Sequence, residues 1–259
     1  HRGLGLETYA FLRSLAQNHR LAFITASGRD LRAVCHSAQV ADSPFFNVFQ
    51  TLCQSGDEVI ILSPYWVSFP PLVHLSGAKP VIVETSERDG FLPDPVAVEA
   101  ALTDATKAII VNSPSNPTGA VLPREALQGI IDAVKGKDIL VVTDDIYERL
   151  LYRGQFENVL SVDSTMRPQT VIVNGVSKTF AMTGWRIGWT IGPAELIAAM
   201  QKIQDNSTSN PSSIAQRAAL AAMTLPLEEE IERMRLVFDK RRKHIVARPP
   251  VVTVLGHVD

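Results

Sequence analysis

Residues 107–144 read KAIIVNSPSNPTGAVLPREALQGIIDAVKGKDILVVTD. Lys107-Ala108-Ile109-Ile110-Val111-Asn112 is a short apolar run that breaks at Ser113-Pro114. Ile139-Leu140-Val141-Val142-Thr143 is a second one, ending at Asp144. Runs this short that are apolar on both faces predict strands covered on both sides. Between them, the stretch from Pro123 to Lys135 opens on proline and is followed by Gly136, the asymmetry expected of a helix. Strand, helix, strand in that order predicts an open, mostly parallel sheet with helices packed on it.

The same grammar extends outward. Glu58-Val59-Ile60-Ile61-Leu62 ends at Ser63-Pro64, and Pro80-Val81-Ile82-Val83-Glu84 follows the turn-like Ser76-Gly77-Ala78-Lys79. Thr170-Val171-Ile172-Val173-Asn174 runs into Gly175. Further helices are predicted over 193–204 and 227–246. The latter opens with Glu228-Glu229-Glu230 and closes with Lys240-Arg241-Arg242-Lys243, charges that suit the two ends of a helix dipole. The first 40 or so residues show little periodicity. Arg248-Pro249-Pro250 breaks the last helix. The fold class is therefore α/β.

Composition narrows the function. The chain has 259 residues, 46% hydrophobic and 20% charged, which excludes a disordered or collagenous chain. Twenty-five basic against 27 acidic side chains leave a net charge of -2, so no broad positive field favours nucleic acid. No apolar run reaches the ~18 residues that span a bilayer. Two cysteines, Cys35 and Cys53, suit a reducing compartment such as the cytoplasm. The histidines lack paired ligand spacing with Cys, Asp or Glu, so no metal is expected.

Ligands of open α/β sheets bind where strands give way to loops. Those loops carry Ser63-Pro64-Tyr65-Trp66, Asn116-Pro117-Thr118-Gly119, Asp144-Asp145-Ile146-Tyr147 and Gly175-Val176-Ser177-Lys178, followed by Gly184-Trp185-Arg186. A Trp, an Asn, an Asp, a Tyr, a Lys and an Arg thus converge on one rim. Asp145 reads as a helix cap or a surface group, since Tyr147 stands three residues after Asp144.

The run from Gly175 to Gly188, GVSKTFAMTGWRIG, resembles the lysine signature of class I aminotransferases of fold type I. The Asn116 and Asp144 motifs resemble that family's next two, in the right order, and Ser63-Pro64-Tyr65-Trp66-Val67-Ser68 resembles its bacterial aspartate aminotransferase branch. Four motifs in order carry far more weight than one. The resemblance implies a seven-stranded sheet with Gly188-Trp189-Thr190-Ile191 as an antiparallel strand. It implies pyridoxal 5′-phosphate (PLP) as cofactor, with Lys178 forming a Schiff base and then moving the substrate's α-proton. Asp144 would pair with the pyridine nitrogen, and Tyr147 and Asn116 would bond the phenolate oxygen. Trp66 would stack on the ring, Arg186 would grip the phosphate, and Ser177 would assist. Gly175 stands where some relatives carry a phosphate-binding serine.

The resemblance spans about residues 44–247 and is lost on both sides, as in a truncated chain. This divides the sequence into a poorly matching segment 1–43, a cofactor-binding large domain 44–247, and a tail 248–259 that begins a small domain or belongs to none. Val40-Ala41-Asp42-Ser43-Pro44 replaces a glycine-rich phosphate turn, and Asp42 would repel a phosphate. Tyr9 is not in a matching context, and Arg248, beside prolines, is a poor candidate for the substrate's carboxylate clamp. The expected activity is amino transfer between an L-amino acid, aspartate favoured, and a 2-oxo acid, by a homodimer. Two alternatives stand beside it: an impaired fragment that binds cofactor weakly or only dimerises, and a PLP-dependent lyase on the same scaffold.

Overall fold

A computed structural model of the chain describes residues 24–25, 31–36 and 43–246. The readings placed on Tyr9, Asp42, Arg248 and the tail 248–259 lie outside the described residues, as does most of the segment 1–43.

In chain order the elements are β1 (Ile24–Thr25), β2 (Leu31–His36), α1 (Pro44–Leu52), β3 (Glu58–Ser63), α2 (Phe69–Leu75) and β4 (Lys79–Glu84). Then come α3 (Pro95–Ala100), β5 (Thr106–Asn112), α4 (Arg124–Val134), β6 (Leu140–Asp144), α5 (Val159–Val162) and β7 (Thr170–Gly175). The series closes with β8 (Gly188–Pro193), α6 (Ala194–Ser207), α7 (Ser213–Thr224) and α8 (Glu228–Val246).

The described strands form one sheet in the order β1-β2-β8-β7-β6-β5-β3-β4. The pairs from β4 through β7 are parallel. β8 returns antiparallel to β7, as the resemblance implied, with Gly175 opposite Gly188. Among the described residues the sheet holds eight strands rather than seven. The unforeseen edge is β2, paired antiparallel with the whole of β8, and the two-residue β1 beside it. Leu31-Arg32-Ala33-Val34-Cys35-His36 lacks the continuous apolar run that marks the central strands.

Continuous apolar runs arise because neighbouring residues point to opposite faces and both faces are covered. Ile109, Val111, Val141 and Ile172 pack on one face with Leu127 and Ile131 of α4. Ile110, Val142 and Val173 pack on the other with Phe45 and Phe49 of α1, Val73 of α2 and Met200 of α6. Each such fully buried side chain contributes about 1.5–3 kcal/mol of hydrophobic stabilisation. α3 lies so close to α4 that a Cβ on Gly129 would sit 2.8 Å from Pro95 Cγ. No described helix is long and apolar enough to cross a membrane.

Because β3, β5, β6 and β7 run parallel, their C-terminal ends meet along one edge. That edge presents all the loops singled out from the sequence.

Candidate active site

Strand register builds the floor of the site. Asn112, the last residue of β5, lies beside Asp144, the last of β6. Asn112 Nδ2 donates to the Asp144 carbonyl at 3.4 Å, and its Oδ1 accepts from the Asn116 N–H at 2.7 Å. One amide thus ties the Asn116 turn to the end of β6. The turn is closed by Gly119 N–H to Ser115 O and by Ser115 N–H to Ala120 O, both 2.8 Å. Gly119 takes φ +72°, a conformation that glycine adopts without a Cβ clash. After β6 the chain coils tightly, Glu148 N–H bonding Asp145 O and Leu150 N–H bonding Tyr147 O. After β7 it coils again, Phe180 N–H bonding Val176 O, and this turn carries Ser177 and Lys178.

Asn116, Tyr147, Ser177 and Lys178 all line one cleft of about 790 Å³. Lys178 Nζ lies 5.7 Å from the centre of the Tyr147 ring. Asp144, at the end of β6, is only 7% exposed and interacts electrostatically with both Lys178 and Tyr147. Burial pushes its carboxyl up to about 7, with the neighbouring Asp145 adding to the rise, against the Ile146 N–H and the Lys178 charge, which favour the anion. Burial also raises the Tyr147 phenol, and the Asp144 charge raises it further. Arg153 and Arg242 line the same cleft, and no acidic side chain does among the described residues.

Two expected ligands stand apart from this cleft. Trp66 is half-buried against Phe69, ring centres 5.4 Å apart and edge to face, and packs on the α1–α2 side of the core. Arg186 is exposed, with φ +53°, and its Nη1 donates to Thr183 O at 2.7 Å. Neither lines the cleft.

Asp145 is neither a cap nor a surface group. It is 3% exposed and accepts from Asn158 Nδ2 at 3.0 Å. Burial lifts its carboxyl to about 7. Glu148, also buried, accepts from Asn174 Nδ2 at 2.9 Å, and burial followed by the Asp145 charge lifts it to about 8. Sequence reasoning missed Glu148, Asn158 and Asn174. The available signal was position: Asn174 ends a buried strand, where a polar side chain needs a partner. Gly175, read as a missing phosphate contact, is packed against backbone: a Cβ there would lie 2.8 Å from Ile187 O.

These residues fit PLP at the end where the ring nitrogen would sit. The Asp144 carboxyl accepts one long hydrogen bond, 3.4 Å from Ile146 N, and its raised pKa marks a buried carboxyl whose ionised form is short of stabilising partners. A protonated ring nitrogen is the partner such a carboxyl lacks. Lys178 and Tyr147 are both close enough to feel the Asp144 charge. No group of three His, Cys, Asp or Glu side chains suited to a metal occurs among the described residues.

Comparison with known proteins gives the same direction. Residues 41–248 match the family described as "Aminotransferase class I and II". Residues 1–56 match a second description, "Novel STAND NTPase 2", and most of that stretch lies outside the described residues. The chain is 46% identical over 209 residues to an aspartate aminotransferase of Geobacillus stearothermophilus, covering 80% of this chain and 52% of that protein. It is 49% identical over 179 residues to an aspartate/prephenate aminotransferase of Thermus thermophilus, covering 69% of this chain and 46% of that one. A solved Thermus thermophilus aspartate aminotransferase with maleate superposes with TM-score 0.81 at 39% identity, over 93% of this chain and 61% of that one. The chain spans about half the length of the curated relatives it matches.

Proposed function

The chain belongs to the class I and II aminotransferases, a PLP-dependent family, and we propose that it transfers an amino group between an L-amino acid, aspartate favoured, and a 2-oxo acid. The observation that carries this reading is the cleft in which Lys178 faces Tyr147, with the buried Asp144 within reach of their charges.

When bound, PLP supplies an aldehyde that bonds an amine and a ring that accepts the electron pair left when the substrate's Cα–H bond breaks. Lys178 Nζ would hold the cofactor through its aldehyde. Freed by the substrate's amine, the same nitrogen would take the substrate's Cα proton and deliver it to the aldehyde carbon, so the proton is moved and not lost. Asp144 would pair with the ring nitrogen and favour a proton on that atom. Tyr147 Oη and Asn116 would stabilise negative charge on the ring oxygen. Ser177, Arg186 and Trp66 are assigned to the phosphate and the ring face. For Arg186 this requires exchanging the Thr183 carbonyl for phosphate oxygens. We further assign the unit 44–247 as the cofactor-binding domain, the working form as a homodimer, and the compartment as cytoplasm.

The test is spectroscopic. Mixed with PLP, the chain is expected to turn yellow and to bleach when aspartate is added. Borohydride should fix the cofactor on Lys178, and Lys178→Ala should abolish every signal. A protein that stays colourless refutes the reading. The position of Arg186, turned to Thr183 O, favours a second reading, an impaired fragment that binds cofactor weakly or only dimerises. A yellow protein that no amino acid bleaches would establish that one. Release of carbon dioxide or thiol in place of amino transfer would establish a lyase. Sedimentation tests the dimer.

A further inference from the structure

The loops bearing Tyr147 and Lys178 leave different strands, yet their side chains must meet one small molecule. Two contacts span the gap between them. Asp145 N–H donates to Val173 O at 3.0 Å, joining backbone to backbone. Deeper in, Glu148 Oε1 accepts from Asn174 Nδ2 at 2.9 Å, while Asn174 Oδ1 accepts from Gly175 N–H at 2.7 Å. Glu148 directly follows Tyr147, and Gly175 opens the turn that ends in Lys178. Glu148 is 5% exposed and Asn174 3%.

We propose that Glu148 and Asn174 are positioning residues: Asn174, at the root of the Lys178 turn, holds the Tyr147 segment with its amide nitrogen, while its oxygen, bonded to the N–H of the next residue, Gly175, fixes the amide's own orientation. The inference rests on the reading of Lys178 as the reacting amine. It reaches beyond the residues assigned to the cofactor, because neither member lines the cleft.

Stability alone does not call for this pair. Two buried polar side chains can be replaced by apolar ones of the same shape with little loss. What apolar packing lacks is direction. A planar amide bonded at both ends fixes the distance and the tilt between the segments it joins. The opposite side of the Lys178 turn is fixed as well, since Gly175 rests against the backbone of Ile187 and Gly188. Val176 N–H donates to Ile187 O there at 3.2 Å. The turn is thus held by β8 on one flank and, at its root, by the Glu148–Asn174 bond to the Tyr147 segment on the other. Geometry held by such outlying partners governs rate strongly, because misplacing a reacting atom by an ångström is costly.

The test begins on the cofactor-free chain, by amide hydrogen exchange at residues 175–178. Asn174→Ala is expected to speed exchange there by about tenfold beyond any global change. Glu148→Leu should act alike, while Glu148→Gln, which keeps an acceptor oxygen, should retain protection. Gln169→Ala serves as the control, since it breaks a hydrogen-bonded group far from the cleft. It should lower stability without selectively loosening 175–178. With PLP added, Asn174→Ala should shift the pH midpoint of the visible band and reduce kcat more than KM, and Glu148→Gln should leave both near wild type.

Equal exchange at 175–178 in wild type and Asn174→Ala overturns the proposal, as does the same local change in Gln169→Ala. If Asn174→Ala does not fold, Glu148→Leu and Glu148→Gln decide it, and indistinguishable exchange in the two overturns it. A wild-type chain that never colours with PLP sinks the proposed function instead and leaves the exchange experiment readable.

Discussion

Gly175 and Asp144 each carry a cost that single substitutions can expose. A side chain at Gly175 would press on Ile187 O at 2.8 Å and Gly188 Cα at 3.1 Å, both of them backbone. Gly175→Ser is therefore expected to destabilise the chain by about 1–3 kcal/mol, read as a lower urea midpoint, without tightening PLP binding. Tighter binding in a fluorescence titration would show that strand β8 yields and that the serine reaches the phosphate. Asp144 runs the other way. Its buried carboxyl is pushed up to about 7 mainly by burial. Asp144→Asn removes that charge and keeps an oxygen for the Ile146 N–H. The cofactor-free variant should be more stable than wild type at pH 8 by about 1 kcal/mol, while amino transfer falls by about 100-fold or more. Unchanged activity in Asp144→Asn would remove it from the mechanism.

Among the elements, α4 is held at its end by a residue distant in sequence. Gln169, just before β7, donates through Nε2 to the carbonyls of Val134, Lys137 and Ile139, at 3.1, 2.7 and 3.1 Å, and accepts the Gly136 N–H at 3.0 Å. It fills the place of a local C-terminal cap and pins the connection from α4 to β6 against β7. Gln169→Ala should cost about 2 kcal/mol, measured by the denaturation midpoint, and exchange should rise first at residues 134–139. Nothing in the sequence around Gln169 announces this, because the contact joins residues some thirty apart. The five strands from β3 to β7 were legible because their signals are local, apolar runs bounded by Pro, Gly, Asp or a turn, and β8 was given by the family resemblance. β2 was not, because its pairing with β8 depends on a partner more than 150 residues away.

Over the whole molecule, the legibility of the site divides along the same line. Asn116, Tyr147, Ser177 and Lys178 stand in strand-following loops that a motif identifies, and all four meet in one cleft. Asp145 and Glu148 were misjudged or missed because a carboxylate's burial depends on Asn158 and Asn174, which arrive from other segments. Their burial leaves a global signature in pH. Asp144 and Asp145 are raised from 3.8 to about 7 and Glu148 from 4.5 to about 8, in each case chiefly by desolvation. The folded chain therefore keeps protons that the unfolded chain has released above about pH 4. The stability this contributes is complete below the unfolded pKa values and is lost as pH rises through 7 and 8. Glu58, Asp163, Glu232 and Asp239 act oppositely: hydrogen bonds and ion pairs lower them, so their contribution is lost as pH falls through and below about 4. Surface pairs of this kind are weak, so the buried trio should dominate above pH 5. The cofactor-free chain is expected to melt several degrees higher at pH 5.5 than at pH 8.5, and Asp144→Asn combined with Glu148→Gln should flatten most of that slope. A melting temperature that holds level or climbs between those two pH values would mean that the three carboxyls are ionised in the folded chain, and that water or a cation reaches them.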